Sequence, residues 1–190
     1  MSSSAGERRQ SIALVGLSAV GLVCSVILLM EKLALLADPE HVPSCSINPV
    51  VACGSVITSW QASVVADLPN PVLGIVGFSI VMTAGALGAG GLHFSRWVWV
   101  GLLAGVLVGF AFVHWLIWQS LTVIGALCPY CMVVWVVMLA LVTVAVRAGA
   151  SEGAVPAAVS RWAPSAAVMW LALLVLAIFL RFQDYWLTLV

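Results

Sequence analysis

The stretch WVWVGLLAGVLVGFAFVHWLIWQSLTVIGALCPYCMVVWVVMLALVTVAV, Trp97 to Val146, holds 50 residues without a formal charge. As a single helix at 1.5 Å per residue it would be about 75 Å long, over twice the ~30 Å hydrocarbon core of a bilayer. It therefore reads as two membrane spans joined by a tight turn. Gln119-Ser120-Leu121-Thr122, followed by Gly125, supply the polar and flexible residues for that turn. One span is expected at Trp97–Trp118 and the next at about Cys128–Val146.

The same reading extends to the rest of the chain. Of its 190 residues 64% are hydrophobic and 7% charged, and the mean hydropathy is +1.20. A soluble domain carries about 25% charged residues. The expectation is an all-α integral membrane protein with five transmembrane helices. Lys+Arg and Asp+Glu number 7 each, so charge does not point to nucleic acid, and no nucleic-acid partner is expected. The first span runs from Ser11 to Met30 and extends at most to Leu36. Arg8 and Arg9 precede it as in a signal peptide, but 20 uncharged residues exceed the usual ~7–15 residue apolar region. The following Glu31-Lys32 is no small-residue cleavage site, so this span reads as retained. The second span is Pro71 to about Leu92, and the fifth about Ser165 to Leu180. The expected organisation is a cytoplasmic tail 1–10, a four-span core 11–146 with an outer cysteine loop 37–70, a cytoplasmic linker 147–164, and a fifth helix with a short outer tail 165–190.

Lys and Arg placement sets the expected orientation. With the N-terminus inside, Arg8, Arg9, Arg96, Arg147 and Arg161 are inside, five of the seven basic residues. Lys32 and Arg181 then fall at outer ends of spans. Trp97, Trp99 and Trp162 fall at inner interfaces and Trp118 and Trp186 at outer ones, as an aromatic belt requires.

This parity puts Cys45, Cys53, Cys128 and Cys131 on the outer side, where disulfide chemistry is possible. Cys24, inside the first span, reads as a buried inert thiol. Cys128-Pro129-Tyr130-Cys131 opens the fourth span. Residues i and i+3 share a helix face, so the sulfurs can meet. Pro129 suits a first helical turn, and a helix N-terminus favours a thiolate at Cys128. A redox pair, a structural disulfide, and half of a four-thiolate metal site are the three readings. The third fits least, because the loop pair Cys45/Cys53 has seven intervening residues rather than the usual two to four. Asn48-Pro49 is a turn signal that can fold Cys45 and Cys53 together, as a structural staple or as the second pair of a relay. Beyond it, Trp60, Val64, Val65 and Leu68 share a helical face, which suits a short helix on the outer surface or an irregular loop.

On these residues the chain resembles the bacterial homologues of vitamin K epoxide reductase (VKOR). The resemblance covers about Ser11 to Val146. It rests on the spaced cysteine pair, the run Val56-Ile57-Thr58-Ser59-Trp60, Asn70 opening the second span with Gly74 and Phe78, and CXXC opening the fourth. It implies a four-helix bundle around a quinone, menaquinone or ubiquinone, plus the extra C-terminal helix. It implies a bacterial cytoplasmic (inner) membrane, with the redox cysteines on the outer face. It further implies that Cys45 and Cys53 are the shuttle pair, and Cys128 and Cys131 the pair beside the quinone. A DsbA-like thioredoxin-fold protein would deliver electrons to Cys45, Cys53 would exchange with Cys128, and Cys131 would lie next to the ring. Asn70 would hydrogen-bond a quinone oxygen and Ser59 would steady the loop. Some members carry a fused thioredoxin-like domain after the last span; this sequence runs to Val190, so a separate partner is expected. Vertebrate members have a tyrosine where this chain has Trp135. That substitution weakens any transfer of vitamin K epoxide chemistry or anticoagulant binding. Trp135 either lines the quinone pocket or packs against neighbouring spans.

Three rivals remain. In the DsbB family the CXXC pair precedes the spaced pair, the reverse of the order here. An electron conduit across the membrane would need a cysteine pair reachable from inside, which the sequence lacks. A structural or metal-handling membrane protein with non-catalytic disulfides is the non-enzyme alternative. His41, His93 and His114 are scattered without ligand spacing, so no metal site is expected. His114, within the third span, reads as a packed polar residue or a proton carrier.

Overall fold

The computed structural model describes residues 2–151 and 153–187. Glu152 of the expected linker and residues 188–190 of the expected tail lie outside that range. Five helices are long and apolar enough to cross a membrane: α1 (Ser2–Ala37), α3 (Asn70–Ala89), α4 (Arg96–Gln119), α5 (Pro129–Ser151) and α6 (Ala157–Arg181). Between α1 and α3 lies a short helix, α2 (Cys53–Thr58), and α7 (Gln183–Leu187) follows α6. The described residues form no β-strand longer than an isolated bridge.

α1 packs chiefly on α3 and α5, α4 on α5, and α6 on α5. The α1–α3 seam is close because small residues line it. A Cβ on Gly21 would lie 2.5 Å from the Phe78 ring. Ser25, also on the seam, turns its hydroxyl back onto the Gly21 carbonyl at 2.8 Å. α3 and α4 touch only slightly, which leaves a gap between them. The outward surface of α6 is apolar, with Val168 70% and Phe179 57% exposed. Such a surface is stable against lipid rather than water.

Several expected boundaries move. α1 is already helical at Ser2, within the expected tail 1–10. The expected linker 147–164 is mostly helix, because α5 runs on to Ser151 and α6 starts at Ala157 with Pro164 inside it. The turn placed at Gln119–Thr122 is still helical: α4 continues through a π-helical segment, Ser120–Ile124. The break comes at Gly125, whose φ of 68° is the left-handed region. A side chain there costs about 1–2 kcal/mol. Gly125→Ala is therefore expected to lower the unfolding temperature measurably, and Gly125→Asn less, since asparagine tolerates this region. Equal effects would mean that crowding rather than φ decides.

The surface helix expected over Trp60–Leu68 is not formed. Helix occupies Cys53–Thr58 instead, then a 3₁₀ turn at Trp60–Ala62. Ala66 and Asp67 have positive φ, which no helix accommodates. Trp97, Trp118 and Trp162 are exposed as a belt requires, but Trp99 is 8% exposed and packs edge-on against Phe94.

His114 is a packed residue. Its Nδ1 lies 2.9 Å from the Phe110 carbonyl, and its Nε2 meets the Trp170 indole N–H of α6. A carbonyl only accepts and an indole N–H only donates, so the ring donates to Phe110 and accepts from Trp170. Nδ1 is engaged within α4 and Nε2 ties α4 to α6, so both ring nitrogens have partners.

Candidate active site

Two local devices bring the cysteines together. The first folds the loop. Asn48 Oδ1 accepts from the N–H groups of Val50 at 3.0 Å and Val51 at 2.7 Å, and Ile47 N–H donates to the Val51 carbonyl at 2.9 Å. This is an Asx turn, and it returns the chain so that Cys45 and Cys53 form a disulfide, Cα atoms 5.6 Å apart. The second device is a parallel bridge between Val51 and Leu127. Leu127 N–H donates to the Val50 carbonyl at 2.8 Å, and Ala52 N–H to the Leu127 carbonyl at 3.0 Å. Cys128 follows Leu127 directly, and Cys53 lies two residues beyond Val51. Their sulfurs are 3.0 Å apart.

Cys128 lies one residue ahead of α5, whose N-terminal end favours negative charge. The Cys131 thiol hydrogen-bonds its sulfur, and the backbone N–H groups of Cys131 and Tyr130 add to this. These donors hold the Cys128 thiol below the usual cysteine range, against the opposing effect of burial. The sulfurs of Cys45, Cys53 and Cys128 all lie within 4.8 Å of one another. With Cys45 and Cys53 bonded to each other, the cluster is a free thiol facing a closed disulfide. A separation of 3.0 Å is attack distance for the exchange of one sulfur for another.

Cys131 is free and partly exposed, and it lines a cavity of about 440 Å³. The cavity is walled by α1, α3, α4 and α5 and roofed by the segment from Val56 to Ala62. Its size falls within the usual ~300–1,000 Å³ of a small-molecule site. The walls are apolar and include Phe78, Val106 and Trp135. Trp135 is buried one turn beyond Cys131, so it both packs in the core and faces the cavity.

Ser59 and Asn70 also line it. Ser59 Oγ donates to the Val56 carbonyl at 2.7 Å and so closes the end of α2. Asn70 Nδ2 donates to the Gln61 carbonyl at 2.6 Å, and its Oδ1 accepts from Val64 N–H at 3.3 Å. Part of the Asn70 amide is thus engaged in tying down the roof. Gln61 itself was not singled out from the sequence. It is 3% exposed, lines the cavity, and its Nε2 lies 3.3 Å from Gln119 Oε1. The signal was a neutral amide among apolar residues.

Cys24 is buried within α1. It has no disulfide partner. Cys24→Ala is expected to keep turnover within about twofold and to cost about 1 kcal/mol of stability from the lost sulfur. Loss of most activity on thermal-stability-matched samples would make Cys24 part of the chemistry.

A buried disulfide, a facing thiol and an apolar cavity at one end of five membrane-length helices describe a polytopic membrane thiol protein. Residues 12–146 match the Vitamin K epoxide reductase family, which is most of the chain, and the protein belongs to that family. It is accordingly a multi-pass membrane protein and a thiol–disulfide oxidoreductase. None of the curated proteins compared matches the chain.

Proposed function

We propose that the protein is a thiol–quinone oxidoreductase. It oxidises a separate DsbA-like thioredoxin-fold partner and passes the electrons to menaquinone or ubiquinone, which supports disulfide formation in exported proteins. Its setting is a bacterial cytoplasmic membrane, with the N-terminus cytoplasmic and the cysteines on the outer face. The observation that carries this reading is the 3.0 Å approach of Cys128 to the Cys45–Cys53 disulfide, with Cys131 lining the apolar cavity.

Each step is thiolate attack on a disulfide. A partner thiolate attacks Cys45 Sγ, and the electron pair of the Cys45–Cys53 bond leaves on Cys53. The partner's second thiol attacks the mixed disulfide, so the partner departs oxidised and the loop pair is left as two thiols. Cys53 then attacks Cys128 of a Cys128–Cys131 disulfide, and Cys131 leaves as thiolate. Cys45 attacks Cys53, restores the loop disulfide and releases Cys128. That end state has Cys45 bonded to Cys53 and CPYC reduced, the bonding pattern described above.

A quinone fits the residues present. The cavity is apolar, and a Cβ added at Gly77, Gly101 or Gly105 would meet nothing within 4 Å, so those walls are open. Ser59, Gln61 and Asn70 supply the polar atoms at one end, and the gap between α3 and α4 faces lipid. A quinone in this cavity supplies an acceptor for two electrons and two protons when Cys128 and Cys131 rejoin. Cys131 would hold the near side of the ring, and Trp135 and Phe78 its faces.

The test is quinone reduction by the purified protein in lipid, driven by a reduced thioredoxin-fold protein. Turnover with stoichiometric oxidation of the protein donor is expected. No turnover with either quinone would overturn the reading and favour a structural or metal-binding role.

A further inference from the structure

The loop disulfide must open in every cycle of the relay proposed above, and this inference rests on that reading. Once it is open, the cross-link between the Cys45 arm and the helix behind Cys53 is gone, and only the main chain of residues 46–52 joins them. We propose that Glu31 and Lys32 are positioning residues that clasp the two arms to α1, so that Cys45 stays within reach of Cys53 while the disulfide is open.

The contacts are specific to each arm. Glu31 holds the Cys45 arm. Its Oε1 accepts from Ser44 Oγ at 2.5 Å and Ser44 N–H at 3.2 Å, the residue before Cys45. Its Oε2 lies 2.9 Å from His41 Nε2. The Glu31 side chain is 12% exposed, while its partner Ser44 is exposed. Lys32 holds the other arm. Its Nζ donates to the Ile57 carbonyl at 2.7 Å, in the last turn of the helix that begins at Cys53. Carbonyls there lack helical partners, and a cation is a favourable cap. Consecutive residues on one helix fix the spacing between the two anchors. The Asn48 turn and the Val51–Leu127 bridge secure the segment between them but reach neither Ser44 nor Ile57.

A clasp of this kind raises the effective concentration of one open thiol at the other, and so favours ring closure. The readout is the equilibrium of the Cys45–Cys53 disulfide with glutathione: disulfide plus two glutathione thiols give two protein thiols plus oxidised glutathione. It is measured on the full chain in lipid, in a Cys128→Ala/Cys131→Ala background, by alkylation and mass spectrometry. Glu31→Ala and Lys32→Met are each expected to shift it about tenfold toward the reduced pair, the size of one lost hydrogen bond to a charged group. Lys32→Arg, which can still donate to the carbonyl, is expected to remain within about threefold of wild type. If Glu31→Ala fails to fold, the Lys32→Met and Lys32→Arg comparison decides alone. An equilibrium unmoved by either substitution, or moved toward the disulfide, overturns the proposal. The measurement involves no quinone and no protein partner, so failure of the relay would appear in turnover and not here.

Discussion

Cys131→Ala is expected to abolish quinone reduction, a loss of about 10³-fold or more, equivalent to about 4 kcal/mol of transition-state stabilisation. Cys131 lines the cavity, whereas Cys128 is buried beneath the loop with 1% exposure. Removing Cys131 therefore removes the sulfur next to the acceptor and leaves the rest of the relay in place. The variant should also change which cysteines are paired. Cys128, now without its CPYC neighbour, faces Cys53 at 3.0 Å. Its thiolate attacks Cys53, and Cys45 leaves as a free thiol. Cys45 competes to reverse this step, so a mixture of Cys45–Cys53 and Cys53–Cys128 disulfides is expected. Adding Cys45→Ala removes the competing thiol, and oxidised glutathione, by taking up the two electrons and two protons, should then leave Cys53–Cys128 as the disulfide. Peptide mapping under non-reducing conditions reads both results. Retention of more than about a tenth of wild-type turnover in Cys131→Ala would reverse the assigned roles of the two CPYC cysteines.

The residues that make this prediction possible were unequally legible. The spans could be read because membrane helices require long uncharged runs, and the 50-residue stretch admits no other arrangement. Gln119–Thr122 reads as a turn in the sequence because polar residues interrupt an apolar run. In a π segment their side chains bond backward instead, as Thr122 Oγ1 does to the Trp118 carbonyl at 2.7 Å. The apolar residues from Trp60 to Leu68 imitate an amphipathic period, yet the backbone at Ala66 and Asp67 turns left-handed. The approach of Cys53 to Cys128 is legible only through the family resemblance. It depends on two backbone hydrogen bonds between Val50–Ala52 and Leu127, and backbone groups are the same whatever the side chains. Glu31 and Lys32 were visible only as charges that end a span, because their partners, Ser44 and Ile57, lie in irregular sequence.

Cys45→Ala is expected to separate the two kinds of electron donor. With a reduced thioredoxin-fold protein, turnover should fall to background, about 10²-fold or more. A folded protein cannot enter the cavity, and it reaches the relay only through the loop pair. With a small membrane-permeant dithiol, turnover should stay within about threefold of wild type, because such a donor can reach the Cys128–Cys131 disulfide from the cavity. The sulfur exposed there is Cys131, and attack on it expels Cys128. The hydrogen bonds that lower the Cys128 thiol below its usual range make it the better leaving group, so the bypass runs in the favourable direction. A passive loop staple predicts a different pattern: its loss would impair both donors alike, through disorder of the cavity roof that Asn70 and Gln61 hold together. Parallel assays of the two donors on one preparation of the variant therefore decide between a shuttle and a staple. A shared loss would assign the loop disulfide to structure alone.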